Sequence, residues 1–233
     1  MKQTVLYLIV ILLLLPGAST QSQAALSNIG TVNYTGVGTY NLIYDSDQEL
    51  IWLDYTHERV DWEGQVTWSN SLNTASVLTY SIFSEYSVTW EGDWRLPAAI
   101  DERFVSGNDG TTSGGYGITS SEMGYLFHVS LGNLSFIGPD GLEQEDSGLK
   151  DKDPFVNLTG GGYWSGTEYE YATNLDGAWN FYFGVGYQGL TQIAVGHYGI
   201  AVRSAEVSIV PLPSSISFLI IGLIGISSFR EKS

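Results

Sequence analysis

The side chains in this chain that could do chemistry are its aromatic rings and its carboxylates. Seven Trp and fifteen Tyr give it many rings that are apolar across the face and polar at the tip. When such rings are exposed, they stack on sugars and hold them by hydrogen bonds at the rim. Trp164, Tyr169, Tyr171 and Tyr187 are the candidate binding residues on that reading. Rings of this kind also pin strands together, and Trp52, Trp94, Trp164 and Trp179 each stand in a short apolar phrase, which favours packing. Arg95 lies between Trp94 and Leu96, ahead of Pro97, and reads as an anchor to a carboxylate or to carbonyls rather than a ligand clamp. Arg203, at the end of an apolar run, reads the same way. Trp94, Arg95, Pro97, Trp164, Trp179 and Arg203 are therefore expected to be structural.

Catalytic constellations are scarce. The chain has no cysteine, which removes disulfides, thiolate chemistry and Cys-based zinc or iron–sulfur sites together. Its three histidines, His57, His128 and His197, are scattered singly, and neither His-x-x-x-His nor Gly-x-Ser-x-Gly occurs. Ser165 has no evident base. A carboxylate pair could serve a glycosidase, but nothing in the spacing of the acids selects two of them. Asp45-Ser46-Asp47-Gln48-Glu49 opens like a calcium loop yet lacks the glycine and distal glutamate such a loop needs. The acidic stretch Asp140–Asp153 reads better as a solvated loop. A non-enzymatic protein without metal or cofactor is expected.

Charge narrows the partners. Nine Lys and Arg stand against 25 Asp and Glu, a formal net charge of −16, which leaves no basic face for phosphates and excludes nucleic acid. At 43% hydrophobic and 13% aromatic, the chain has enough apolar surface to offset its conformational entropy, so it should fold.

The two ends of the 233 residues read as addresses. Residues 1–24 combine Lys2, an apolar run to Leu15, a break at Pro16-Gly17 and the small residues Ser22 and Ala24, the pattern of a cleavable export signal. Near the other end, Ile216 to Phe229 would make a helix of about 21 Å, short for a bilayer core of about 30 Å. Arg230 and Lys232 follow it and favour a cytoplasmic end. Before it, Val210-Pro211-Leu212-Pro213 is rigid and extended, because neither proline can enter a helix. Three segments result: a signal at 1–24, one domain at 25–209, and a tail at 210–233.

The elements that must position these residues are mostly strands. Val32–Tyr44, Leu50–Leu53 and Tyr198–Arg203 read as strands, and Ala178–Val185 alternates as a half-buried one. Helices are expected over Gln65–Ser76 and over Ser120–Leu131, the second opened by a Thr119/Glu122 capping box. Ser106–Gly117 and Gly138–Pro154 are expected to be loops.

Several phrases in order carry a family resemblance: Leu50-Ile51-Trp52-Leu53-Asp54, Trp68 with Leu72, Asp93-Trp94-Arg95-Leu96-Pro97, Ile118 to Met123, Tyr163 to Glu168, Ala178-Trp179-Asn180-Phe181 and Ala201-Val202-Arg203. Together they resemble the Lcl C-terminal domain family. The tail resembles the PEP-CTERM class in its Val-Pro-Leu-Pro-Ala variant, with Ser214 in place of the usual alanine and Glu231 interrupting the basic end. The resemblance implies an α+β fold like that of C-type lectins and formylglycine-generating enzymes, a compact domain of twisted antiparallel strands with two helices. It also implies an exosortase that recognises the tail in the inner membrane. The expected function is that of an exported, envelope-associated, non-enzymatic domain that adheres to or binds extracellular polysaccharide or matrix. A structural surface protein without a small ligand and a carbohydrate-active hydrolase are the alternatives.

Overall fold

The computed structural model describes residues 26–171 and 176–211. The expected signal at 1–24 and the tail from Leu212 onward, with its sorting residues Leu212 and Pro213, lie outside the described residues. No helix among the described residues is long and apolar enough to cross a membrane.

The architecture is predominantly β, and this corrects the lectin-like α+β expectation. Eleven strands join in one mixed sheet: β1 (Leu26–Tyr34), β2 (Gly38–Asp45), β3 (Leu50–Val60), β4 (Leu78–Ile82), β5 (Tyr86–Arg95), β6 (Ser106–Gly107), β7 (Gly114–Tyr116), β8 (Gly162–Glu168), β9 (Gly177–Tyr182), β10 (Tyr187–Gln192) and β11 (His197–Ile209). Among the described residues the helices are two short pieces, α1 (Trp62–Ser71) and α2 (Glu122–Tyr125), the latter running into a π-helical turn at Leu126–Ser130.

The strand order is β4-β1-β2-β3-β11-β8-β9-β10-β7-β6. The thirteen-residue β11 is the hub. One edge pairs antiparallel with β3. The other pairs first with β8, in parallel at Tyr198 and Tyr163, and then antiparallel with β5 from Val202 to Ile209.

The apolar runs in β2, β3 and β11 have a packing reason. Successive side chains on a strand point to opposite faces. Leu42, Tyr44, Ile51, Leu53, Ala201 and Ala205 fall in one core, with Trp68, Trp94 and Trp164. Their neighbours Ile43, Leu50, Trp52, Ile200 and Val202 fall in a second core, with Phe127, Phe181 and Phe183. A strand covered on both faces must be apolar at every position, so these segments read as continuous runs instead of alternating.

Several expected elements shift for local reasons. Val32–Tyr44 is two strands, because Val37 N closes a turn on Tyr34 O and Gly36 sits at φ 78°. α1 begins at Trp62, not Gln65, because Asp61 caps it, accepting from Gly64 N at 2.8 Å. The helix expected over Ser120–Leu131 keeps its apolar face but not its geometry. Ser121, not Thr119, accepts from Gly124 N, and Leu131 N bonds back five residues to Leu126 O. Glu122 leaves the capping role for a bidentate pair with Arg95 at 2.7 Å per bond. The strand expected over Ala178–Val185 ends at Tyr182, where Val185 N and Gly186 N close a turn on Tyr182 O, and it is covered on both faces up to Phe181: Asn180 is buried, donating to Thr191 Oγ1 at 2.6 Å. The expected loop Ser106–Gly117 contains the short strands β6 and β7. The last strand runs six residues beyond Arg203.

Asp45, read as the start of a calcium loop, is fully buried. Its carboxylate accepts from Asp47 N, Gln48 N, Gln48 Nε2 and Ser130 Oγ, which closes the β2–β3 turn and ties it to the π-helical turn. Asp54 plays a parallel part on β3. Buried in the sheet, it accepts from Val156 N and Asn157 N and so fastens that loop to the strand. Burial pushes its carboxyl above the usual range against the pull of those hydrogen bonds.

Candidate binding cleft

The structure separates the aromatic residues proposed for binding. Trp164 is fully buried, with its Nε1 directed at Val60 O 3.3 Å away, so it offers no face to a ligand. Tyr169 packs edge-on against Trp179 and accepts from Phe104 N, and its ring lies 6.0 Å from the exposed Tyr171. Tyr187 stands elsewhere, edge-to-face with Tyr116 at 5.0 Å. Tyr169 adjoins Gly177 at one end of β9, while Tyr187 pairs with Tyr182 at the other. Five residues of strand, about 17 Å, divide them, so they form no single platform.

Most of the residues expected to be structural are buried or engaged within the fold. Trp52, Trp94 and Trp179 are buried, and Trp179 Nε1 donates to Asp101 at 3.0 Å. Arg95, half-buried, is spent on Glu122, whose hydrogen bonds and charge hold the guanidinium above its ordinary pKa. Pro97 is buried, and its carbonyl accepts from Gly166 N. Arg203 departs from the pattern. It donates through Nε to Gly92 O at 2.9 Å and lies over Trp90, with Cζ 4.8 Å from the ring centre. Its two terminal nitrogens have no partner among the described residues.

Arg203 lines a cleft of about 210 Å³ between the α1–β4 connection and β4, β5 and β11. Thr74, Ser76, Tyr80, Asp93 and Arg203 supply its polar wall, and Leu72, Leu78 and Trp94 its apolar floor. The wall is stiff. Asn73 donates to Trp94 O and accepts from Trp94 N, replacing a neighbouring strand along β5, and Trp94 Nε1 donates to Tyr80 OH at 2.7 Å. Tyr80 packs on Trp90 at 4.9 Å. The Asp93 carboxylate is exposed and accepts no hydrogen bond within the described residues. The cleft thus presents a held guanidinium, a free carboxylate and hydroxyls, a set that both donates to and accepts from a polyhydroxylated ring.

Other hollows are less equipped. One, of about 540 Å³, is walled by residues 147–150, Lys152, Leu158–Gly160 and Gly184. It contains no aromatic ring, and Lys152 is already engaged with the carbonyls of Val156 and Leu158. A cleft of about 230 Å³ beside Arg95 has its guanidinium committed to Glu122. Among the described residues no three His, Asp or Glu side chains come together to hold a metal.

The histidines are packed individually. His57 stacks on Trp68 at 4.5 Å and bonds Gln65. Burial lowers the pKa of His128. His197 sits between Trp164 and Tyr182, and burial, with Arg59 nearby, lowers its pKa to about 4.

Comparison of the chain with protein-family models, with curated proteins and with solved structures finds no match.

Tyr80, Trp90 and Asp93 were missed as site residues because β4 and β5 were missed as strands. The signal was present: Leu78-Thr79-Tyr80-Ser81-Ile82 and Tyr86-Ser87-Val88-Thr89-Trp90 both alternate strictly. Arg203 could not be assigned to a cleft without knowing that β11 lies beside β5.

Proposed function

We propose that this is an exported, non-enzymatic envelope domain that binds a neutral, hydroxyl-rich polysaccharide at the Arg203–Asp93 cleft. The observation that carries the reading is the Arg203 guanidinium: it is fixed by Trp90 and Gly92 O, its remaining donors are unengaged among the described residues, and it lines a polar cleft with the unengaged Asp93 carboxylate. At about 210 Å³ the cleft is smaller than sites that enclose a whole ligand, about 300–1,000 Å³, and suits one ring of a longer chain. Net charge decides the class of polymer. The domain at 25–209 carries 24 acidic and six basic residues, −18 in all, which repels polyanions and leaves uncharged glycans as partners. The tail fits the same reading, as a device that hands the domain to an exosortase-type enzyme for placement on the cell surface or in the matrix.

The test is a glycan array followed by calorimetry on the best neutral oligosaccharide. Arg203→Gln and Asp93→Asn are each expected to weaken binding about tenfold or more, the value of a lost charged hydrogen bond, without loss of the fold. Binding unchanged in both variants refutes the site. An array without hits favours a purely structural surface protein, and turnover of chromogenic glycosides would favour a hydrolase.

A further inference from the structure

The end of the domain from which the tail leaves has a surface of its own. Phe83, Ile209 and Val210 are large apolar residues left 39%, 59% and 42% exposed. The backbone brings them together: Tyr86 pairs with Ile209, Tyr86 N donates to Phe83 O, and Val210 N donates to Glu85 O at 2.9 Å. Phe83 N is itself held by Ile29 O, so the β4–β5 turn is fastened to the sheet. Across residues 82–87 and 207–211 the only charged side chain is Glu85, on a domain of strongly negative charge. Neither segment contains a basic residue that would favour anionic lipid.

Where the chain goes next identifies the occupant. Ile216, the start of the apolar stretch 216–229, lies five positions beyond Pro211. Fully extended, that span reaches at most about 18 Å. We infer that the β4–β5 turn and the end of β11 form a bilayer-facing edge, with Phe83, Ile209 and Val210 resting on zwitterionic lipid while the tail is inserted. This rests on the reading of 216–229 as a membrane segment. The geometry also serves the proposed cleft. Asp93 lies seven residues along β5 from Tyr86 and Arg203 six along β11 from Ile209, at most about 24 Å and 20 Å, so the charged wall of the cleft is set back from the edge while Tyr80 stands nearer to it.

The chain's lack of cysteine makes the test direct. The exported form, residues 25–233, is reconstituted in phosphatidylcholine vesicles with a single fluorophore at Ser84→Cys or, as a control, at Asp140→Cys. Nitroxide-bearing lipid is then added. The expected result is quenching at least twofold greater at position 84 than at 140, an excess abolished by Phe83→Asp combined with Ile209→Asp although the chain still floats with the vesicles. Flotation with equal quenching at 84 and 140 overturns the edge and leaves the tail reading standing. A chain that does not float overturns both.

Discussion

Acid should loosen this domain through His197, and the size of the effect follows from where the imidazole sits. Its ring lies 4.7 Å from Trp164 and 5.3 Å from Tyr182, and the residue is 3% exposed. The nearest polar side-chain contact is Tyr182 OH, 3.4 Å from Nε2. Burial disfavours the imidazolium and Arg59 adds repulsion, so the folded pKa falls from 6.5 to about 4. A base with a depressed folded pKa is neutral in the native state and takes up its proton on unfolding. Stability is therefore fully present above pH 6.5, is lost as pH falls, and levels off below about 4. Each unit is worth about 1.4 kcal/mol, so the loss is about 2 kcal/mol at pH 5 and about 3 kcal/mol at its limit. For a domain of this size, 2 kcal/mol lowers Tm by roughly 4–8 °C. The perturbation is His197→Gln, which removes the titration and keeps an amide within reach of Tyr182. The assay is urea unfolding at pH 7 and pH 5. The wild type should lose about 2 kcal/mol more than the variant, because His128, Asp54 and the surface acids are common to both. Equal losses, or an imidazole that titrates near 6.5 by NMR, would refute the reasoning.

Three other outcomes are expected. Trp164→Ala should cost about 3–5 kcal/mol, read as a shift in the urea midpoint, because a fully buried indole is replaced by a cavity at the junction of β8 and α1. A chain ending at Pro211 should keep the melting temperature of the full domain. In the host, Pro211→Ala with Pro213→Ala should leave the tail inserted but unprocessed, a retained mass that intact-protein spectrometry reads directly.

Composition alone bounds the chemistry. Without cysteine there is no thiol chemistry, whatever the fold, and 25 acidic residues against nine basic ones make the net charge that any partner meets strongly negative. Local periodicity placed Leu50–Leu53, the apolar face of Met123, Leu126, Phe127 and Leu131, and the packing role of Trp52, Trp94 and Trp179, because those residues must be buried wherever the chain takes them. What sequence could not reach depended on pairing between distant segments. The domain became a β sheet rather than a lectin-like mixture because β11 collects β3, β5 and β8 on its two edges. Glu122, suited to a capping box by spacing, went to Arg95, because the guanidinium lies 2.7 Å away and offers two charged hydrogen bonds where the cap offers one. Asp93 and Arg203 share a cleft although 110 residues separate them. Strand neighbours are chosen by the burial of whole faces, a long-range choice that local patterns do not record.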